Sequence, residues 1–119
     1  MSRQDSLLRD MPLGRAICAA LTEEGWAEDR IVPCASKMFD SAVGPKKATV
    51  WIGQTPDKVG NIMISGEFWS EGRNVAGGKG VLINVNMDPD QVPGRVSRFL
   101  RGIEKMIAES YAVGLMRST

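Results

Sequence analysis

The chain has 119 residues, 43% of them apolar and 24% charged. That is enough for one domain, residues 1–119, with a single hydrophobic core, and it excludes extensive disorder. Fifteen Lys and Arg against 14 Asp and Glu leave a net charge of +1, so bulk charge recruits neither nucleic acid nor an anionic membrane, and any such site is a local patch.

The absence of histidine removes Ser-His and Cys-His nucleophile pairs and every His-based metal site. Two cysteines, Cys18 and Cys34, are too few for a thiolate metal centre, so neither a metal nor a cofactor is expected. No apolar run has the length of a membrane span, and residues 1–12 lack the apolar centre of a signal peptide. Reduced thiols and a cytoplasmic location are the resulting expectation.

In chain order, residues 5–11 read as an extra turn or a loose arm. The first helix follows, with Asp10 placed to cap it and Pro12 in its first turn. Leu13, Ala16, Ile17, Ala20 and Leu21 repeat at helical spacing. Gly25 suits the left-handed residue beyond the helix end, and Trp26 its hydrophobic cover. Residues 27–48 give mixed signals: residues 30–33 read as a short edge strand because of Pro33, and residues 40–47 as loop.

From Lys47 the period changes to two. Residues 47–52, 61–69 and 81–86 read as strands, separated by a turn over 54–60 and a glycine-rich loop over 70–80. Connections this short favour antiparallel neighbours. The last helix carries the stripe Val92, Val96, Phe99, Leu100, Ile103, Met106, Ile107 and Tyr111, with Asp88 as its cap and Gly114 as its stop. Arg95, Arg98, Arg101 and Lys105 stand off that stripe as a solvated row. The predicted fold is α+β: an N-terminal helix, a three- or four-stranded antiparallel meander, and a long C-terminal helix on one sheet face, with residues 1–11 and 115–119 as loose ends.

Alternation divides the sheet. Val50, Ile52, Ile62, Ile64, Phe68, Val81, Ile83 and Val85 share one parity and form the core face. The opposite parity holds Lys47, Thr49, Trp51, Met63, Ser65, Glu67, Trp69, Asn84 and Asn86. Indoles among hydroxyls, amides and a lysine suit a surface that stacks and hydrogen-bonds. Three occupants fit it: unpaired nucleobases, a protein partner such as a second copy of the chain, or the N-terminal helix itself. For nucleobases, Trp51 and Trp69 stack, Ser65 and Asn84 meet base edges, and Lys47, Arg73 and Lys79 hold phosphates. Glu67 opposes a phosphate track at its own position.

Residues 62–69, Ile-Met-Ile-Ser-Gly-Glu-Phe-Trp, followed by Gly72 and Gly78-Lys79-Gly80-Val81, partially resemble the positive-cofactor-four type of single-stranded-DNA-binding coactivator. The resemblance implies a dimer that binds unpaired DNA on its sheet face, with Trp69 stacking and Lys79 on phosphate. Ala76 stands where that family usually carries a proline. A helix, meander, helix order also occurs in double-stranded-RNA-binding domains, but Gly94-Arg95 supplies no basic cluster at the start of the second helix. Gly77-Gly78-Lys79-Gly80 lacks the following hydroxyl residue and helix of a nucleotide loop. No carboxylate pair is placed for acid–base catalysis, so the expectation is a non-catalytic binder of single-stranded nucleic acid, or an adaptor or inhibitor that uses the same face.

Overall fold

The computed structural model describes residues 7–41, 43–55, 60–78 and 80–118. It has the expected α+β architecture: an N-terminal helix, an antiparallel sheet and a long C-terminal helix packed on it. Among the described residues the main sheet has five strands rather than three or four. They are β1 (Ala27–Glu28), β2 (Cys34–Phe39), β3 (Lys46–Gln54), β4 (Ile62–Glu67) and β7 (Gly80–Ile83), side by side in that order. A two-stranded hairpin, β5 (Trp69–Ser70) with β6 (Arg73–Asn74), lies between β4 and β7 in the chain.

Helix α1 spans Gly14–Glu23, and neither Pro12 nor Asp10 begins it. Leu8 is fully buried, which pins a 3-10 turn (Leu7–Asp10) against the helix. Gly14 then packs so close to that turn that a Cβ would lie 1.8 Å from the Leu8 carbonyl oxygen. Leu13 precedes it in the left-handed region, with no side-chain cap. The other end is as expected. Gly25 has φ 84°, its N–H donates to the Thr22 carbonyl, and the Trp26 N–H donates to that of Leu21, which returns a buried Trp26 onto the core.

Residues 30–33 are the connection between β1 and β2 rather than a strand. The Asp29 carboxylate accepts the N–H groups of Ile31 and Val32 at 2.7 and 2.9 Å, closing a local turn that competes with sheet pairing. Strand β2 was hidden by its own pattern: Ala35 and Phe39 face the helices, but so does Lys37. The Lys37 ammonium donates to the Glu24 carbonyl at 2.9 Å and pairs with Glu104 at 3.0 Å, joining β2 to both helices. Phe39 closes that end of the core between the rings of Trp26 and Phe68.

The core face is the one the alternation selects. Val50, Ile52, Ile62, Ile64, Phe68 and Ile83 are buried, with Val81 and Val85 half-buried. Helix α2 (Val92–Ser118) covers them with Val92, Val96, Leu100, Ile103 and Ile107. The Asp88 carboxylate accepts the Asp90 N–H at 2.9 Å, capping the short 3-10 turn (Pro89–Gln91) that leads into α2. Gly114 does not end the helix, which continues to Ser118; a helical glycine weakens propagation without stopping it. Helix α1 packs against α2 on this same side, so the N-terminal helix does not occupy the tryptophan face. No described helix is long and apolar enough to cross a membrane.

Candidate functional site

On the outer face the register places Trp51 opposite Ser65 and Thr49 opposite Glu67. Trp51 and Glu67 are therefore diagonal neighbours on adjacent strands, within reach of an indole. Trp69, two residues beyond Glu67, returns to the same face. The chain breaks at Phe68 between these two because its N–H leaves the β3 ladder and donates to the Asn74 side chain at 2.8 Å. The Asn74 oxygen also accepts the Ala76 N–H, and the Val75 N–H donates to the Phe68 carbonyl. This turns the chain into β5, whose two-residue turn to β6, Glu71-Gly72, has positive φ at both positions. That is the geometry of a tight hairpin matched to strand twist.

The indoles converge on one carboxylate. Trp51 Nε1 donates to Glu67 Oε1 at 2.8 Å, and Trp69 Nε1 donates to Glu67 Oε2 at 2.8 Å. The two indole nitrogens thus stand within about 8 Å of each other. The bond from Trp69, and then that from Trp51, hold the Glu67 carboxyl below the ordinary glutamate range, because both stabilise the anion. Trp51 remains 44% exposed and Trp69 52%. Lys46 steadies the second ring from behind, donating to the Trp69 carbonyl at 2.6 Å.

Of the residues singled out from sequence, Lys47, Trp51 and Ser65 share the outer face. Arg73 does not join them: it pairs with Ser70 while Trp69 pairs with Asn74, so it alternates away from the Trp69 ring and lines a hollow with Met106 and Glu109 of α2. Lys47 and Arg73 are exposed and Ser65 half-buried. Asn84 is exposed but does not join the outer-face group either. It follows Ile83, which pairs with Ile62, at the far end of β4 from Glu67, roughly 17 Å along the strand. Lys79 lies outside the described residues.

Sequence reasoning missed three residues. Glu67 is the anchor of both rings, where its charge had counted only against a phosphate track. A Glu-X-Trp triplet, which puts acid and indole on one face, was the available signal. Asn74 and Lys46 carried no signal, because the groups they bond, the Phe68 N–H and the Trp69 carbonyl, are backbone groups that the sequence places in a continuous strand over 61–69. The same face also exposes Met38 (58%) and Met63 (39%), with half-buried Leu82 opposite Met63.

Both cysteines are free. The buried Cys18 thiol donates to Glu28 Oε2 at 2.8 Å. Burial first, and then Glu28, push that thiol up to about 12, so it is protonated and unreactive at neutral pH. No cluster of metal-ligating side chains occurs among the described residues. Comparison with family models, with curated proteins and with solved structures returns no match to this chain.

Proposed function

We propose that the outer sheet face binds single-stranded nucleic acid by stacking bases on Trp51 and Trp69. The observation that carries this reading is the shared Glu67 carboxylate. It satisfies both indole N–H groups within the protein and fixes the rings before any ligand arrives, while half of each side chain stays in water. Rings held this way lose little rotamer freedom on binding, which raises affinity without added contacts. Lys47 supplies an exposed cation on the same face, and Ser65 a hydroxyl beside Trp51. The resemblance of residues 62–69 to single-stranded-DNA-binding coactivators points the same way and adds Lys79 as a phosphate ligand.

The test is a titration with oligo-dT read by tryptophan emission. Binding quenches the emission, and alanine at position 51 or 69 weakens affinity by roughly 5- to 150-fold, the equivalent of one lost base stack. Two phosphate contacts, from Lys47 and Lys79, give a log–log salt slope of about −1.4. Unchanged emission at low salt with oligonucleotide in excess would remove the reading.

A second reading rests on Met38 and Met63. Exposed methionine beside tryptophan is the composition of a protein interface, and a second copy of this chain is the simplest partner. It predicts concentration-dependent association by sedimentation that fails in Trp69→Ala, with no response to oligo-dT.

A further inference from the structure

The two edges of the main sheet differ. Strand β1 is two residues long and carries Glu28, which pairs with Arg9. Strand β7, at the other edge, reads Gly-Val-Leu-Ile over Gly80–Ile83, with no charge and no proline. Antiparallel pairing with β4 uses only one side of β7, so alternate residues turn their N–H and C=O groups outward. Among the described residues no hydrogen bond from another element meets them. Uncovered edges of this kind accept a further strand.

Beside this edge runs a groove between β7 and α2. It has a volume of about 340 Å³, with Val81 and Phe99 as its half-buried apolar floor and Arg95 and Arg98 on its wall. A second hollow of about 330 Å³ continues it along α2, sharing Arg95 and Arg98 and ending at Asp90, its one acidic group. Arg101, on the same helix, is tied to Glu24 at 3.1 Å. Arg95 and Arg98 are exposed and have no ion pair among the described residues.

We propose that β7 is a docking edge for an extended acidic peptide segment, which adds to the sheet as a further strand. Backbone complementarity selects a polypeptide, because the edge offers N–H donors and C=O acceptors in alternation at strand spacing, which a sugar–phosphate backbone does not match. The alternation of an added strand then sorts its side chains. Every second one enters the groove toward Arg95 and Arg98, where a carboxylate is favoured and an ammonium is not. The others lie beside Leu82 on the outer face, where an apolar side chain fits. The segment is thus one that alternates acidic and apolar residues. This surface is separate from the tryptophan pair.

The probes are two octapeptides, one alternating valine and glutamate and one alternating valine and lysine, added to the full chain and followed by amide resonances. The glutamate peptide binds at least about tenfold more tightly than the lysine peptide. It slows exchange of the outward β7 amides and shifts residues 80–83 and Phe99. Arg95→Glu with Arg98→Glu reverses the preference, and Trp51→Ala leaves it unchanged. The arginines are exposed, so these variants fold. Equal affinity for the two peptides, no binding by either, or shifts centred on Trp51 and Trp69 would overturn the proposal. So would protection of β7 by self-association without peptide, or loss of oligo-dT binding alone in the arginine variant.

Discussion

The two faces of the sheet are built from alternate residues of the same strands but are held by different forces. On the inner face, Val50, Ile52, Ile62 and Ile64 have essentially no exposed surface, and removal of apolar area from water sets their positions. On the outer face, Trp51 and Trp69 keep about half their surface, and two hydrogen bonds to one carboxylate set theirs. Burial orders side chains without direction. A shared acceptor orders two rings with direction while leaving them available. Trp26 shows the opposite arrangement: its ring is buried and its Nε1–H has no hydrogen-bond partner among the described residues. Mutations should therefore separate the faces, with inner substitutions changing stability and outer ones changing the rings and what they bind.

The largest expected effect is on the inner face. Ile64→Ala, at the centre of β4, lowers unfolding free energy by about 2–5 kcal/mol, measured by urea titration. Trp51→Ala, one strand over and on the other face, costs about 1 kcal/mol or less. Equal losses at the two positions would break the contrast. Gly66→Ala follows in size. A Cβ there would lie 2.7 Å from Ile103 Cδ1 and 3.1 Å from the Ala76 carbonyl oxygen, so the buried Ile103 side chain must turn aside and the Ala76 backbone give slightly. The cost is about 1–3 kcal/mol.

Glu67→Gln is the smallest in stability and the most informative about the rings. One glutamine oxygen accepts one indole N–H, and the amide nitrogen, itself a donor, cannot accept the other. Stability changes by about 1 kcal/mol, but one indole loses its anchor and its emission shifts. Acid should imitate this change. Because the folded carboxyl titrates below the ordinary glutamate range, the contribution of the clamp is fully present above the unfolded glutamate pKa. It is lost only as pH falls through the depressed folded value, so ring emission in the wild type stays constant across the usual glutamate range. Glu67→Gln abolishes the transition.

The sequence made the sheet faces legible because a period of two needs no knowledge of partners. Val50, Ile52, Ile62 and Ile64 sorted inward, and Trp51, Met63 and Trp69 outward, from spacing alone. The cap at Asp88 and the Gly25-Trp26 helix end were legible for the same reason, being local chemistry. What escaped depends on groups distant in the chain. Lys37 faces inward only because Glu24 and Glu104 meet it there, and without them β2 does not look like a strand. The start of α1 depends on the fit of Gly14 against Leu8. Glu67 looked like an obstacle because its charge was visible in the sequence, whereas the Trp51 N–H that answers it comes from another strand.

The central claim is that one carboxylate holds both outer tryptophans. Nitrogen-labelled indole resonances followed through an acid titration test it directly, since the three tryptophans report separately. The account predicts that the Trp51 and Trp69 N–H signals move together, with one midpoint below the ordinary glutamate range, while Trp26 stays still. Separate midpoints for Trp51 and Trp69, or no movement of either while the fold persists, would contradict it.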